Sequence, residues 1–129
     1  MEYRFDAAAR YARTHEWVRI EGAEAVIGVS DYAQHSLSDV VFVEVPGPGA
    51  PLTREKPFTV IESVKAAEDV IAPVSATVTA KNPRLEKEPE LLNKDPFGEG
   101  WLVRVKLADA KELDALMDVA AYKKFVESL

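Results

Sequence analysis

Short runs of alternating hydrophobic and polar residues characterise the chain up to residue 107. Residues 17–21 and 25–29 alternate on either side of a turn at residues 21–24, and this pattern predicts a β-hairpin. Further runs of strand length occur at residues 40–45, 58–64, 70–72, 76–80 and 101–107. Because the helical stretches between these runs are few and brief, the pattern predicts a mainly β fold, either a flattened barrel or a sandwich of two antiparallel sheets.

The strongest helical pattern lies at the C-terminus. The spacing of Asp109 and Glu112 resembles a capping box, and apolar residues recur at helical spacing as far as Phe125. We therefore expect a C-terminal helical segment at about 109–128, docked on the domain through its apolar stripe. Brief connecting helices are also expected after Ser30 or Asp31 and at residues 89–93.

The composition fits one globular domain over residues 1–129 and excludes several classes of function. Hydrophobic residues make up 47% of the chain, and cysteine is absent, which excludes disulfides and thiolate chemistry. The 22 acidic and 16 basic residues give a net charge of −6, and the scattered bases argue against a nucleic-acid partner. We find no secretory signal and no apolar run of about 18 residues for a membrane helix. The sequence thus predicts a cytoplasmic protein without a membrane partner.

The common catalytic motifs are missing from the sequence. It contains no G-x-S-x-G, H-E-x-x-H, phosphate-loop or dinucleotide-binding pattern. Acidic pairs such as Glu86 and Glu88 are usually solvated surface residues, and two histidines are too few for a convincing metal site. We therefore expect a protein that is not an enzyme and holds no metal.

The most informative stretch is residues 58–73, which read FTVIESVKAAEDVIAP. Two strand-like runs flank Val64, Lys65 and Ala66, so Lys65 is expected at or beside the tip of a hairpin. An exposed lysine on an arbitrary hairpin is usually an ordinary surface residue. Here the small or β-branched neighbours leave its amine accessible while two strands fix its backbone, which is the combination that a swinging-arm carrier requires.

The E-S-V-K-A segment at residues 62–66, with A-P-V-S at residues 72–75, resembles the lipoyl-attachment hairpin of the glycine cleavage system H-protein family. Further similar blocks follow the same order along nearly the whole chain: HEWV at 15–18, IGV at 27–29, DYAQ at 31–34, VFVE at 41–44 and GWL at 100–102. The resemblance implies a lipoyl/biotinyl-type fold in which Lys65 carries lipoic acid through an amide. It also implies that the attachment hairpin is supported by Glu62, Ser63, Val64 and Ala66.

The same resemblance implies a role in glycine catabolism and one-carbon metabolism. The protein would be a non-catalytic carrier and co-substrate that moves an aminomethyl group between enzymes, with the chemistry supplied by the lipoyl group. The implied partners are a pyridoxal-phosphate glycine decarboxylase, an aminomethyltransferase, dihydrolipoamide dehydrogenase and a lipoate-attaching enzyme. Tethering the dithiolane to a protein raises its effective concentration at each active site.

Some positions depart from the family pattern. Ser38 and Ala76 stand where the family usually has glycine, and residues 54–56 form a turn that lacks a familiar glycine. Serine and alanine adopt a positive φ reluctantly, so these replacements raise the question of local turn geometry.

Two acidic residues within the matched blocks are candidates for protecting the cargo. The aminomethyl group carries an amine that is exposed to loss by hydrolysis in water. We hypothesise that the arm folds back on the carrier and that Glu16 and Asp69 pair with the ammonium in a partly dry groove. The alternative is that Asp69 makes a turn hydrogen bond and Glu16 is a solvated strand residue.

Two other functions remain open at this point. A biotinyl carrier has a similar hairpin, although that family places methionines beside its lysine where this chain has Val64 and Ala66. An H-like relay protein, which donates lipoyl groups to 2-oxoacid dehydrogenase complexes, would have the same sequence features.

Overall fold

In the computed structural model, which describes residues 2–129, nine strands form two antiparallel sheets. The six-stranded sheet has the order β1-β2-β3-β9-β8-β5, and the three-stranded sheet has the order β4-β6-β7. The strands are β1 (Ala9–Tyr11), β2 (Glu16–Glu21), β3 (Glu24–Val29), β4 (Val40–Glu44), β5 (Pro51–Leu52), β6 (Pro57–Ser63), β7 (Ala67–Ile71), β8 (Ala76–Lys81) and β9 (Val103–Leu107). The mainly β prediction is confirmed, and of its two alternatives the structure has the pair of sheets.

Short helices connect the strands. Helix α1 (Asp31–Leu37) begins after Ser30, whose Oγ accepts a hydrogen bond from Ala33 N at 3.2 Å. Helix α2 (Leu91–Lys94) is a single turn between β8 and β9. Of the two N-caps that the sequence left open, Ser30 and Asp31, Ser30 forms the cap, and it satisfies a backbone donor that the helix itself leaves free.

The C-terminal segment consists of two helices rather than one continuous helix. A 3₁₀ helix (Ala110–Ala115) is separated from α3 (Val119–Glu127) by a short extended stretch. Within that stretch, Met117 exchanges two backbone hydrogen bonds of 2.8 Å with Tyr11 of β1. This pairing holds Met117 in an extended conformation, so a new helix has to begin after it, capped by Asp118.

The apolar side chains form two clusters. The larger cluster lies between the sheets and includes Ile61 and Val70, which anchor β6 and β7. The smaller cluster contains Tyr11, Trp17 and Tyr122, and it packs α3 against the outside of the larger sheet. Ile61 and Val70 therefore face the core, whereas residues 62–69 between them are exposed or half-buried.

Trp17 and Gly28 form a close pair across strands β2 and β3. They are directly opposite in the strand register, and the Trp17 indole Nε1 donates to Val29 O at 3.0 Å and to Pro96 O at 3.2 Å. A Cβ added at Gly28 would lie 2.5 Å from the indole ring. Gly28 is therefore required by the close approach of the ring, and not by its backbone angles.

Two of the three departures from the family pattern fall on strained backbone. Ser38 has φ 60° and ψ −153°, and Glu55, in the turn at residues 54–56, has φ 68°. Both conformations favour glycine, and that of Ser38 is adopted almost only by glycine. Ala76 lies in β8 opposite Leu107, in extended backbone that any residue adopts. The glycine usual at that position is therefore not needed here.

Replacing Ser38 by glycine should stabilise the protein. Ser38→Gly relieves the backbone strain, and we expect a gain of about 1 kcal/mol in the free energy of unfolding after the entropy cost of glycine is subtracted. Ser36→Gly is the matched control, because Ser36 lies inside α1, where glycine should cost roughly 0.5–1 kcal/mol. Urea unfolding of both variants checks the prediction, and equal losses of stability would contradict it.

Candidate functional site

Lys65 lies at the tip of the β6–β7 hairpin with its side chain exposed. The turn is held by Ser63, whose Oγ accepts hydrogen bonds from Lys65 N at 3.2 Å and from Ala66 N at 3.1 Å. Ser63 N also donates to Ala66 O at 2.8 Å. Hydroxyl side chains stabilise tight turns in this way. The backbone of Lys65 is therefore fixed while its side chain remains at the surface.

The tip is also tied to the connection between α1 and β4. Val64 N donates to Asp39 O at 2.9 Å, and Lys65 Nζ donates to Ser36 O at 2.7 Å. Ser36 lies in the last turn of α1, where free carbonyls and the helix dipole favour a cation. The free amine thus rests against the C-terminal end of α1.

The predicted supporting residues surround Lys65 in different environments. Val64 and Ala66 are exposed on either side of it, and Glu62 is exposed at the end of β6 opposite Ala67. Ser63 is half-buried, because its hydroxyl lies inside the turn. Bulky side chains are therefore absent from the immediate approach to the amine within this turn.

Glu16 is buried at the start of β2, with 3% of its surface exposed. Its Oε2 accepts a hydrogen bond of 3.0 Å from Ile71 N, and its other carboxylate oxygen accepts one from the Thr14 hydroxyl. Because β7 is an edge strand, the Ile71 donor has no strand partner on that side, and the carboxylate supplies one. Glu16 therefore joins the two sheets.

Burial raises the pKa of Glu16 to about 7. Loss of solvation is the largest cause, and the hydrogen bonds from Thr14 and Ile71 only partly offset it. At neutral pH the group exists in both its protonated and its charged form. A cation that entered beside it would favour the charged form, so the site is chemically suited to an ammonium group.

A cleft of about 610 Å³ opens beside Glu16. Thr14 and Ile71, the two partners of the carboxylate, both line it, and Pro73 and Leu116 add apolar surface. Two arginines, Arg13 and Arg54, also line the cleft, and Arg54 is paired with Glu55 at 3.5 Å. The cleft is thus a partly apolar space beside a buried carboxylate.

Asp69 lies between the hairpin tip and this cleft. It is exposed, and because side chains alternate along a strand it shares a face of β7 with Ala67 and Ile71. The stretch from Ala67 to Ile71 covers about 13 Å of strand. Asp69 and Glu16 share no hydrogen bond, and Asp69 is two positions from Ile71, the backbone partner of Glu16.

Sequence reasoning missed the residues that hold these groups in place. The alternation of Thr14 with Glu16 offered a signal, since residues two apart on an extended chain face the same side. No local signal indicated that Ser36 and Asp39 would contact the tip at residues 64–65, because those contacts join separate elements.

Within residues 2–129, no group of three or more His, Asp or Glu side chains is placed to hold a metal ion. Among the helices in the same range, none is long and apolar enough to cross a membrane.

Two antiparallel sheets and an exposed lysine on one hairpin make this a mainly β domain of the lipoyl/biotinyl type. The fold is similar to the crystal structure of a glycine cleavage system H protein from Mycobacterium marinum. The TM-score is 0.86 at 28% sequence identity, over 97% of this chain and 100% of that chain. A family model described as "Glycine cleavage H-protein" matches residues 9–129. The chain belongs to the glycine cleavage H-protein family.

Curated relatives agree with this assignment. The chain is 52% identical over 118 residues to a probable glycine cleavage system H protein of Haloarcula marismortui, covering 92% of this chain and 93% of that protein. It is 50% identical over 120 residues to the glycine cleavage system H protein of Beijerinckia indica, covering 93% and 97%. The corresponding protein of Bacteroides fragilis is 46% identical over 124 residues, covering 96% and 98%. The family resemblance of the sequence is therefore confirmed along nearly the whole chain.

The buried carboxylate should make stability depend on pH. The pKa of Glu16 is about 7 in the folded protein and 4.5 as the ordinary value, so between these pH values the folded state binds more protons. The free energy of unfolding should therefore lose about 3 kcal/mol as the pH rises from 4.5 to 7, and this loss should vanish in Glu16→Gln.

The measurement is urea unfolding across this pH range for the wild type, Glu16→Gln and the exposed control Glu62→Gln. Burial lowers the pKa of His15, which acts in the opposite direction, so the readout is the difference between each variant and the wild type. If the difference in free energy of unfolding between Glu16→Gln and the wild type does not change with pH, the raised pKa assigned to Glu16 is wrong.

Proposed function

We propose that this protein carries lipoic acid on Lys65 and serves as the aminomethyl carrier of the glycine cleavage system. Its membership in the glycine cleavage H-protein family supports the system. The observation that carries the choice of residue is the exposed Lys65 amine on a turn whose backbone is fixed by Ser63. The function is that of a carrier protein, and catalysis belongs to the enzymes it visits.

The residues around Lys65 fit an acylated amine. Acylation needs the free amine to approach an activated acyl donor. Among the described residues, the Lys65 amine makes one hydrogen bond, at the surface, to Ser36 O. The turn between β6 and β7 keeps the attachment point in place after the amine has been modified. A lysine stem extended by a lipoyl chain is similar in length to the stretch of about 13 Å from Ala67 to the cleft at Ile71.

Lipoate attached at this position would supply a dithiolane that accepts the aminomethyl group of glycine, passes it on and is then reoxidised. The proposed partners are a pyridoxal-phosphate glycine decarboxylase, an aminomethyltransferase, dihydrolipoamide dehydrogenase and a lipoate-attaching enzyme. We place these encounters in the cytoplasm. The role of the chain itself is to hold the attachment point, present it to each enzyme in turn, and limit the exposure of the cargo to water.

Glu16 and Asp69 are proposed to shield the cargo between enzymes. The ammonium of the aminomethyl group would be drawn into the cleft beside Glu16, whose pKa is raised to about 7 by the loss of solvation on burial. Pairing with the ammonium would restore the charged carboxylate and remove part of that cost. Asp69, which is exposed, would attract the ammonium more weakly because water screens its charge.

The attachment site is tested by the intact mass of protein isolated from its native host. We expect a lipoyl mass increment on the wild type and none on Lys65→Arg, which keeps the positive charge but offers no amine for acylation. Lys56→Arg, a neighbouring exposed lysine, is the matched control and should retain the increment. A biotinyl increment, or no increment on the wild type, would overturn the proposal. Glycine decarboxylation in a reconstituted system then separates this role from lipoyl relay to other complexes.

The shielding role is tested by the lifetime of the aminomethyl cargo on the purified carrier. Glu16→Gln should shorten this lifetime by about tenfold, since a hydrogen bond to a charged group in a partly buried site is lost. Asp69→Asn should shorten it by a smaller factor, because Asp69 is exposed. Intact mass followed over time measures the loss, with Glu62→Gln as the control. Equal lifetimes in all four proteins would rule out the shielding role.

A further inference from the structure

Exposed apolar side chains are concentrated on the sheet that bears Lys65. Among the described residues, six large hydrophobic side chains are exposed, and four of them lie in β4, β6 or the hairpin turn, with 42% to 69% of their surface exposed. These four are Val41, Phe42, Val60 and Val64. Single exposed hydrophobic residues are common on soluble proteins, but a cluster on one face indicates a binding surface.

The strand register places two of these side chains, Phe42 and Val60, on one face. Phe42 is opposite Glu62, and Val60 is opposite both Glu44 and Asp69. Residues directly opposite in neighbouring strands share a face of the sheet. The buried residues Val43, Ile61 and Val70 belong to the other face, which packs on the core. We call the exposed side of this sheet the outer face; its members are Val41, Phe42, Glu44, Val60, Glu62, Ala67 and Asp69.

A β-bulge enlarges the apolar part of the outer face. The register between β4 and β6 shifts between Val40 and Phe42, so Val41 is an extra residue without a partner. As a result two consecutive hydrophobic residues, Val41 and Phe42, are both exposed. An uninterrupted strand would have turned one of them toward the core. The bulge thus brings apolar surface outward close to the strand that leads to Lys65.

The charge of the outer face has a single sign. Its charged members are Glu44, Glu62 and Asp69, and none of its members is a lysine or arginine. Lys65 supplies a positive charge at the tip, and the proposed acylation would neutralise it. The modified protein would therefore present Phe42 and Val60 directly beside carboxylates, with Glu62 next to Phe42 and with Glu44 and Asp69 on either side of Val60. The matching partner surface combines apolar side chains with neighbouring lysine or arginine.

We propose that the outer face is the docking surface for the enzyme that loads the arm, which meets it with an apolar and basic patch around the mouth of its active site. This inference rests on the proposed function. An active site that receives an arm from Lys65 must approach the tip closely, and the outer face continues from the tip through Glu62 and Ala67 without an intervening element. Docking there would bury Phe42 and Val60 at the centre of the contact, where truncation of large side chains is most costly.

The role of Phe42 and Val60 is tested by steady-state kinetics with the host's pyridoxal-phosphate glycine decarboxylase and the lipoylated carrier as the varied substrate. Phe42→Thr combined with Val60→Thr should raise KM for the carrier about tenfold and leave kcat unchanged. Ile20→Thr is the matched control, because Ile20 is 50% exposed in β2 of the other sheet. Thermal unfolding verifies that each variant is folded. If the double variant is unfolded, the single variant Val60→Thr, which is nearly isosteric, carries the test with a smaller rise in KM.

The role of the acidic residues Glu44 and Glu62 is tested by the salt dependence of kcat/KM. In the wild type, added NaCl should lower kcat/KM, because salt screens the attraction between the two proteins. The double variant Glu44→Gln and Glu62→Gln should have a lower kcat/KM than the wild type at low salt, and its kcat/KM should depend less on the NaCl concentration. Glu127→Gln, an exposed acid at the end of α3, should behave like the wild type.

Two results would overturn the docking surface while leaving the proposed function intact. One is a decarboxylation reaction with normal KM in the apolar and acidic variants. The other is a dimer of the wild-type carrier, measured by light scattering, that dissociates in the Phe42→Thr and Val60→Thr variant, because the face would then belong to a second copy of this chain. A wild-type protein without a lipoyl increment would instead overturn the proposed function, and the docking surface with it.

Discussion

The central constraint in this structure is that the β6–β7 hairpin is anchored in the core at its base and exposed at its tip. Ile61 and Val70 are buried between the sheets, whereas residues 62–69 are exposed or half-buried. Burying the whole hairpin would enclose Lys65, and exposing the whole hairpin would leave a marginally stable strand pair. The contacts from Ser63 and Asp39 stabilise the exposed end, where no core is available.

Glu16, which contacts the other end of the hairpin, is costly to bury but supplies a hydrogen-bond acceptor that the sheet edge needs. A hydrophobic residue in place of Glu16 would avoid the cost of desolvating a carboxylate, but Ile71 N would lose its acceptor at the sheet edge. The carboxylate therefore has a structural reason to be present even without cargo. Its raised pKa reflects the loss of solvation on burial, which the hydrogen bonds from Thr14 and Ile71 only partly offset.

Much of the fold was accessible from the sequence because its long strands alternate regularly. The hairpin of β2 and β3, the strand β9 and the cap at Ser30 were all predicted from local pattern. Strands β1 and β5 were not, since they are three and two residues long and exist only through their partners. The break at Met117 and the outward turn of Phe42 also depend on contacts with distant strands, which periodicity does not encode.

The candidate site was predictable to the same extent. Lys65 and its neighbours form one continuous segment whose turn chemistry is local, so the sequence indicated their position. The partners of Glu16 were hidden, because Ile71 contributes its backbone N and lies 55 positions away. Resemblance supplied Glu16 as a candidate residue, and the structure supplied the environment that explains its chemistry.

The close pair of Trp17 and Gly28 has an evolutionary consequence. The indole occupies the space that any side chain at position 28 would need, with its edge 2.5 Å from where a Cβ would lie. A lineage that replaced the glycine first would displace the ring beside Glu16, and one that shrank the ring first would leave a cavity. We therefore expect positions 17 and 28 to change together or not at all, even where the exposed residues around them differ between relatives.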